Sequence, residues 1–129
     1  MATVSTYLNF PRSTEEAFNF YKSIFGTEFS GDGIMRFKDI PPSKELPPLP
    51  EIDKNLVMHV SLPILGGHHL MGTDAPESMG FKVNFGNNIY INLSPDTRDE
   101  TIGKLILYSD SLSFLNNKEN PINLTKLAA

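Results

Sequence analysis

The sequence contains no cysteine and no tryptophan. The first absence excludes disulfides, thiolate zinc sites and cysteine nucleophiles, and it fits a chain expected to work in a reducing cytoplasm. The second leaves much of the core volume to nine phenylalanines and four tyrosines, since valine is also scarce. Each large ring removes a sizeable apolar area from water. No cluster of basic residues occurs: the 11 Lys and Arg are scattered, 15 Asp and Glu outnumber them, and the net charge is −4. Nucleic acid binding needs a concentrated basic face that neutralises phosphates, so nucleic acid is excluded as a partner. No apolar run approaches the roughly 20 residues of a membrane-spanning helix. Met1–Phe10 lacks the basic start and apolar stretch of a secretory signal. A membrane is therefore not expected as a partner either.

Two families of chemistry are absent as well. Gly31-x-Gly33 and Gly66-Gly67 match neither the P-loop pattern nor the strand–GxGxxG–helix setting of a phosphate site. No G-x-S-x-G serine-nucleophile motif is present.

What is present is ordinary for one folded domain: 129 residues, 40% apolar and 20% charged. A chain of this length buries roughly two-thirds of the surface it exposes when unfolded. Thr3 to Phe10 alternates, with Val4, Thr6, Leu8 and Phe10 on one side and Thr3, Ser5, Tyr7 and Asn9 on the other, and reads as a strand ended by Pro11. Ser13-Thr14-Glu15-Glu16 has the spacing of a capping box. Ala17, Phe20, Tyr21, Ile24 and Phe25 follow at helical spacing, and Gly26 supplies the closing left-handed residue. Glu28 to Lys38 reads as a second strand, interrupted by Gly31 and Gly33. The segment Ile40 to Lys54 carries Pro41, Pro42, Pro47, Pro48 and Pro50, and is expected as a surface loop.

Asn55 to Ile64 reads as a third strand, with Val57, His59, Ser61 and Pro63 sharing one face, and His68 to Asp74 returns as a fourth after the turn at Gly66-Gly67. Asn87 to Leu93 is expected as a fifth strand. A second helix is expected from Thr97 to about Leu115, opened by a Thr97-x-x-Glu100 box. The order is thus β-α-β-β-β followed by β-α, a supersecondary unit that begins to repeat. The expected fold class is α+β in a single domain, 1–129, with a first unit at 1–76 and a partial second unit at 77–129.

The phrases Tyr7-Leu8-Asn9-Phe10, Glu15-Glu16-Ala17-Phe18-Asn19-Phe20-Tyr21, Val57-Met58-His59-Val60 and Leu70-Met71-Gly72-Thr73-Asp74 resemble the PhnB-like branch of the vicinal-oxygen-chelate superfamily, which also holds glyoxalases and bleomycin-resistance proteins. The resemblance covers about residues 3 to 100. It implies a curved mixed sheet of βαβββ units, with helices on one face and a small-molecule cavity on the other. It also implies a homodimer, in which a second copy covers sheet edges that a partial unit leaves open. Beyond Glu100 the sequence departs from the family pattern, and the chain is expected to be shortened or altered there.

In that superfamily a divalent metal is commonly held by His, Glu or Gln of the first and fourth strands, where it acts as a Lewis acid. Here Thr6 falls where the first-strand His is usual, and Thr is a poor ligand for such an ion. The resemblance therefore implies a ligand-binding cavity of undefined reaction, its candidate residues being Tyr7, Asn9, His59, Ser61, His69 and Asp74, with no metal ligands assigned. The alternative is a divalent-metal-dependent lyase or dioxygenase, in which His59, His69 and Asp74 hold the ion with help from a partner chain. His59 can bind substrate, act as a base or simply be a hydrogen-bonded histidine of the sheet. Asp74 can be the acidic ligand or a cap of the following turn.

Overall fold

Alternating side chains make the first strand, β1 (Thr6–Phe10): Leu8 and Phe10 are buried, while Tyr7 and Asn9 are exposed. The structure is a computed structural model and describes residues 1–43, 48–85, 91, 93, 94, 96 and 97. The strand begins later than the alternation suggests. Val4 is 81% exposed, so extending the pattern back to Thr3 gains no burial.

Helix α1 (Thr14–Phe25) ends at Gly26, whose φ of 66° is the left-handed conformation that glycine adopts freely, and whose N–H donates to the Lys22 carbonyl at 2.9 Å. Its buried face is Thr14, Ala17, Phe18, Tyr21 and Ile24. This stripe is rotated from the one expected: Phe18 is fully buried, whereas Phe20 and Phe25 only pack against the margin of the core. Both assignments satisfy helical spacing, so only the position of the sheet decides between them. The Ser13 side chain makes no capping hydrogen bond. A carboxylate from another strand supplies the cap, as described below.

Strands β2 (Met35–Arg36), β3 (Val57–Pro63) and β4 (His69–Asp74) complete a mixed four-stranded sheet in the order β1-β4-β3-β2. β1 and β4 run parallel, with Thr6 opposite Leu70 and Phe10 opposite Asp74. β3 and β4 are antiparallel, with Val60 opposite Gly72 and Ser61 opposite Met71. Among the described residues the fold is α+β, one helix against one sheet. The core holds Leu8, Phe10, Val60, Leu62 and Leu70 of the sheet together with Ala17, Phe18, Tyr21 and Ile24 of α1. Full burial of rings such as Phe18 contributes about 1.5–3 kcal/mol each.

Glu28–Lys38 is not a continuous strand. Gly31 and Gly33 sit at φ of 62° and 87°, which turns the backbone, and Phe37–Asp39 closes into a 3₁₀ turn, so β2 keeps two residues. An ion pair fixes that short strand: the Arg36 guanidinium donates to both carboxylate oxygens of Glu15 at 2.9 Å and to the Asn55 carbonyl at 2.7 Å. The two-pronged guanidinium–carboxylate geometry is the specific one. The Arg36 donors hold the Glu15 carboxyl below the usual glutamate range, against a smaller opposing effect of burial.

The loops flanking the sheet are tied by Asp53, fully buried in a 3₁₀ turn (Glu51–Asp53). Its carboxylate accepts from the Ser78 hydroxyl at 2.6 Å and pairs with Arg12 at 2.8 Å. The Ser78 hydrogen bond lowers the Asp53 pKa, burial raises it in part, and Arg12 lowers it further. The proline-rich segment lies at the surface where it is described: Pro41, Pro42, Pro48 and Pro50 are exposed. The expected strand Asn87–Leu93 and the helix from Thr97 lie largely outside the described residues, as does everything beyond Thr97. Most of the second unit beyond Phe85, and with it the repeat, is therefore outside them too.

Candidate functional site

With α1 packed on one face of the sheet, the side chains of opposite parity share the other. The strand register puts Tyr7 of β1, Met71 of β4 and Ser61 of β3 in one cross-strand row. Asn9 and Thr73 form part of the next row, and Met35 of β2 stands opposite His59. Five of the six candidate residues (Tyr7, Asn9, His59, Ser61 and His69) thus lie on this open face.

Two hydroxyl–imidazole pairs are built there. The Tyr7 hydroxyl is 3.2 Å from His59 Nδ1, with the two rings tilted at a centroid distance of 5.8 Å. The Ser61 hydroxyl is 3.0 Å from His69 Nδ1. Burial pushes the Tyr7 phenol above its ordinary value, so it keeps its proton at neutral pH. A hydroxyl on Nδ1 fixes the ring and leaves Nε2 as the second hydrogen-bonding atom, the arrangement that lets an imidazole bind or exchange a proton with a ligand. His68, next in sequence to His69, turns instead to Thr6, whose hydroxyl lies 2.8 Å from His68 Nε2.

Asp74 is on the opposite face and 3% exposed. One carboxylate oxygen accepts from the Thr14 N–H at 3.1 Å and the other from the Val57 N–H at 2.8 Å. It caps α1 and joins β4 to the start of β3. Asp74 therefore does not join the other five candidate residues, and its oxygens are occupied within the core.

The set His59, His69 and Asp74 does not converge on one point. His69 stands opposite Pro63 while His59 lies four residues further up β3, a separation of roughly 13 Å at strand rise, and Asp74 faces away. Among the described residues, no group of three His, Asp or Glu is placed to hold a metal ion. The metal-holding arrangement considered from the sequence does not fit these positions.

A cleft of about 450 Å³ runs beside β1, where Tyr7 and Asn9 meet the segment from Phe81 to Phe85 and Ile91. Tyr7 belongs both to this cleft and to the His59 pair. Phe81, Lys82 and Phe85 carry no periodic signal in the sequence, and neither they nor Ile91 of the expected fifth strand were among the candidates. They become neighbours of Tyr7 only because the chain doubles back along β1 after β4. Met71 and Thr73, which share the open face, were legible from the alternation of β4.

This architecture recurs in solved structures. Protein PA1353 from Pseudomonas aeruginosa superposes with a TM-score of 0.65 at 21% identity, over 86% of this chain and 74% of that one. A PhnB protein from Bacillus cereus, named as a candidate 3-demethylubiquinone-9 3-methyltransferase, superposes with a TM-score of 0.58 at 22% identity, over 85% of this chain and 75% of that one. The fold is PhnB-like. No protein-family model matches the sequence, and no curated protein does. In this chain the sheet face away from α1 carries His59 and His69. Among the described residues, no helix is long and apolar enough to cross a membrane.

Proposed function

We propose that this protein binds a small organic molecule in the cleft beside β1, using the polar groups of the adjoining open sheet face. The observation that carries the reading is the position of Tyr7, which lines the cleft and bonds to His59 on the adjoining sheet face. Cleft volumes of roughly 300–1,000 Å³, mostly apolar with a few placed polar groups, are typical of small-molecule sites. Asn9 adds an amide to the cleft wall. The Ser61–His69 pair extends the polar strip along the sheet. Similarity in fold to PhnB-like proteins agrees with a binding role and specifies no reaction.

Amide chemical-shift mapping with a fragment library tests this reading. Bound fragments are expected to perturb Tyr7, Asn9 and Phe85 most strongly and the outer face of α1 least. Tyr7→Phe and Asn9→Ala are expected to weaken those fragments while leaving the unfolding midpoint within about 0.5 kcal/mol of the parent, as for surface positions. Perturbations confined to residues away from β1 would remove the proposal.

A further inference from the structure

The cleft has one charged side chain among the described residues that line it. Its apolar wall is Leu8, Ala75, Val83, Phe85 and Ile91, with Phe81, 54% exposed, at its mouth. Among the described residues its polar groups are Tyr7, Asn9, Asn84 and Thr6, its one ionic group is Lys82, and no Asp or Glu lines it. In a chain whose net charge is −4, a wall with a cation and no carboxylate is not the average composition.

The remaining basic residues make Lys82 stand out further. Arg12 pairs with Asp53, Lys22 with Glu28, Arg36 with Glu15, and Lys54 with Glu51. Lys38 donates to the Asn55 side chain at 3.0 Å. Among the described residues, Lys82 is the basic side chain with neither an ion pair nor a hydrogen bond to its name.

Resting on the small-molecule reading above, we infer that the cleft takes an aromatic carboxylate, a flat apolar body carrying one anionic group. The ring lies among Phe81, Phe85 and Ile91, where aromatic surfaces give favourable edge and offset contacts. The carboxylate is met by the Lys82 ammonium, with the Asn9 side-chain amide as a neutral hydrogen-bond donor. A cationic ligand of the same shape meets only repulsion from Lys82, and a neutral one forgoes the charge-assisted bond.

Three probes of matched shape test this: 2-naphthoate, 2-naphthol and 2-naphthylmethylamine, titrated into the full chain at low and high salt with Tyr7 and Asn9 amide shifts as the site reporter. We expect 2-naphthoate to bind about fivefold tighter than 2-naphthol, the scale of an exposed ion pair, and the amine to bind most weakly. The preference should shrink in high salt, because exposed charges are screened. It should vanish in Lys82→Gln and persist in Lys82→Arg; Lys82 is exposed, so neither change touches the core. Equal binding of acid and alcohol, tightest binding of the amine, or a preference unchanged in Lys82→Gln overturns the ligand class and leaves the small-molecule reading standing. Failure of all three probes to move either amide overturns both.

Discussion

Asp74 caps a helix that begins sixty residues earlier in the chain: its carboxylate accepts the Thr14 N–H at 3.1 Å. The second oxygen accepts the Val57 N–H at 2.8 Å, so one buried side chain joins α1, β3 and β4. The negative charge also lies at the positive end of the helix dipole. The residue at the end of β4 thus sets the position of the helix over the sheet.

Replacing Asp74 with Ala leaves two buried N–H donors without an acceptor, each costing about 1–3 kcal/mol. We expect Asp74→Ala to lower stability by about 3–5 kcal/mol in urea unfolding. Asp74→Asn keeps one acceptor and should lose roughly half as much. A loss under about 1 kcal/mol for the Ala variant would show that the cap is dispensable.

Gly72 lies beneath the ring of Phe18. A Cβ built there would stand 2.5 Å from Phe18 Cε2, 2.8 Å from Cζ and 3.1 Å from the Thr14 methyl. Phe18 is fully buried and has no room to swing away. Gly72→Ala should therefore destabilise by about 1–3 kcal/mol through overpacking, measured as a fall in thermal midpoint. Truncating the ring opens the space, so Phe18→Leu together with Gly72→Ala should cost less than the sum of the two single changes.

The Glu15–Arg36 pair gives a pH dependence of known sign. Folded Glu15 has a lowered pKa and binds its proton less readily than the unfolded chain does. Its contribution is therefore fully present above the ordinary glutamate range and is lost as pH falls through the folded value. Both side chains are partly exposed, which limits the effect to about 1 kcal/mol or less. Glu15→Gln should be less stable than the parent at pH 7, and the two urea midpoints should converge as pH falls below the folded value of Glu15. A gap that widens on acidification would contradict the pairing.

Tyr7 and His59 predict a tautomer. We assign the Tyr7 hydroxyl as the donor to His59 Nδ1, which puts the hydrogen of the neutral imidazole on Nε2. Long-range ¹H–¹⁵N correlation spectra of the neutral ring should show that form dominant in the parent and reduced in Tyr7→Phe. Dominance of the Nδ1–H form in the parent would reverse the direction assigned to this hydrogen bond.

The sequence by itself marked β1, α1, β3 and β4 and sorted the side chains of β1 and β4 between two faces. Alternation in Thr6–Phe10 and His69–Asp74 separates Tyr7, Asn9 and His69 from Leu8, Phe10 and Leu70, because successive strand side chains point to opposite faces. Gly26 marks the end of α1 because few other residues adopt its positive φ at no cost. Tertiary structure decided what depends on partners distant in the chain. It chose Phe18 over Phe20 for the buried stripe, because the sheet lies on that side of α1. It gave the cap of α1 to Asp74 in place of Ser13, because parallel pairing of β1 and β4 brings the end of β4 to the start of the helix. It placed Lys82 and Phe85 beside Tyr7, a proximity made by the path of a non-periodic segment. Periodicity encodes which way a side chain points; which other side chain it meets is fixed only when the strands are in register.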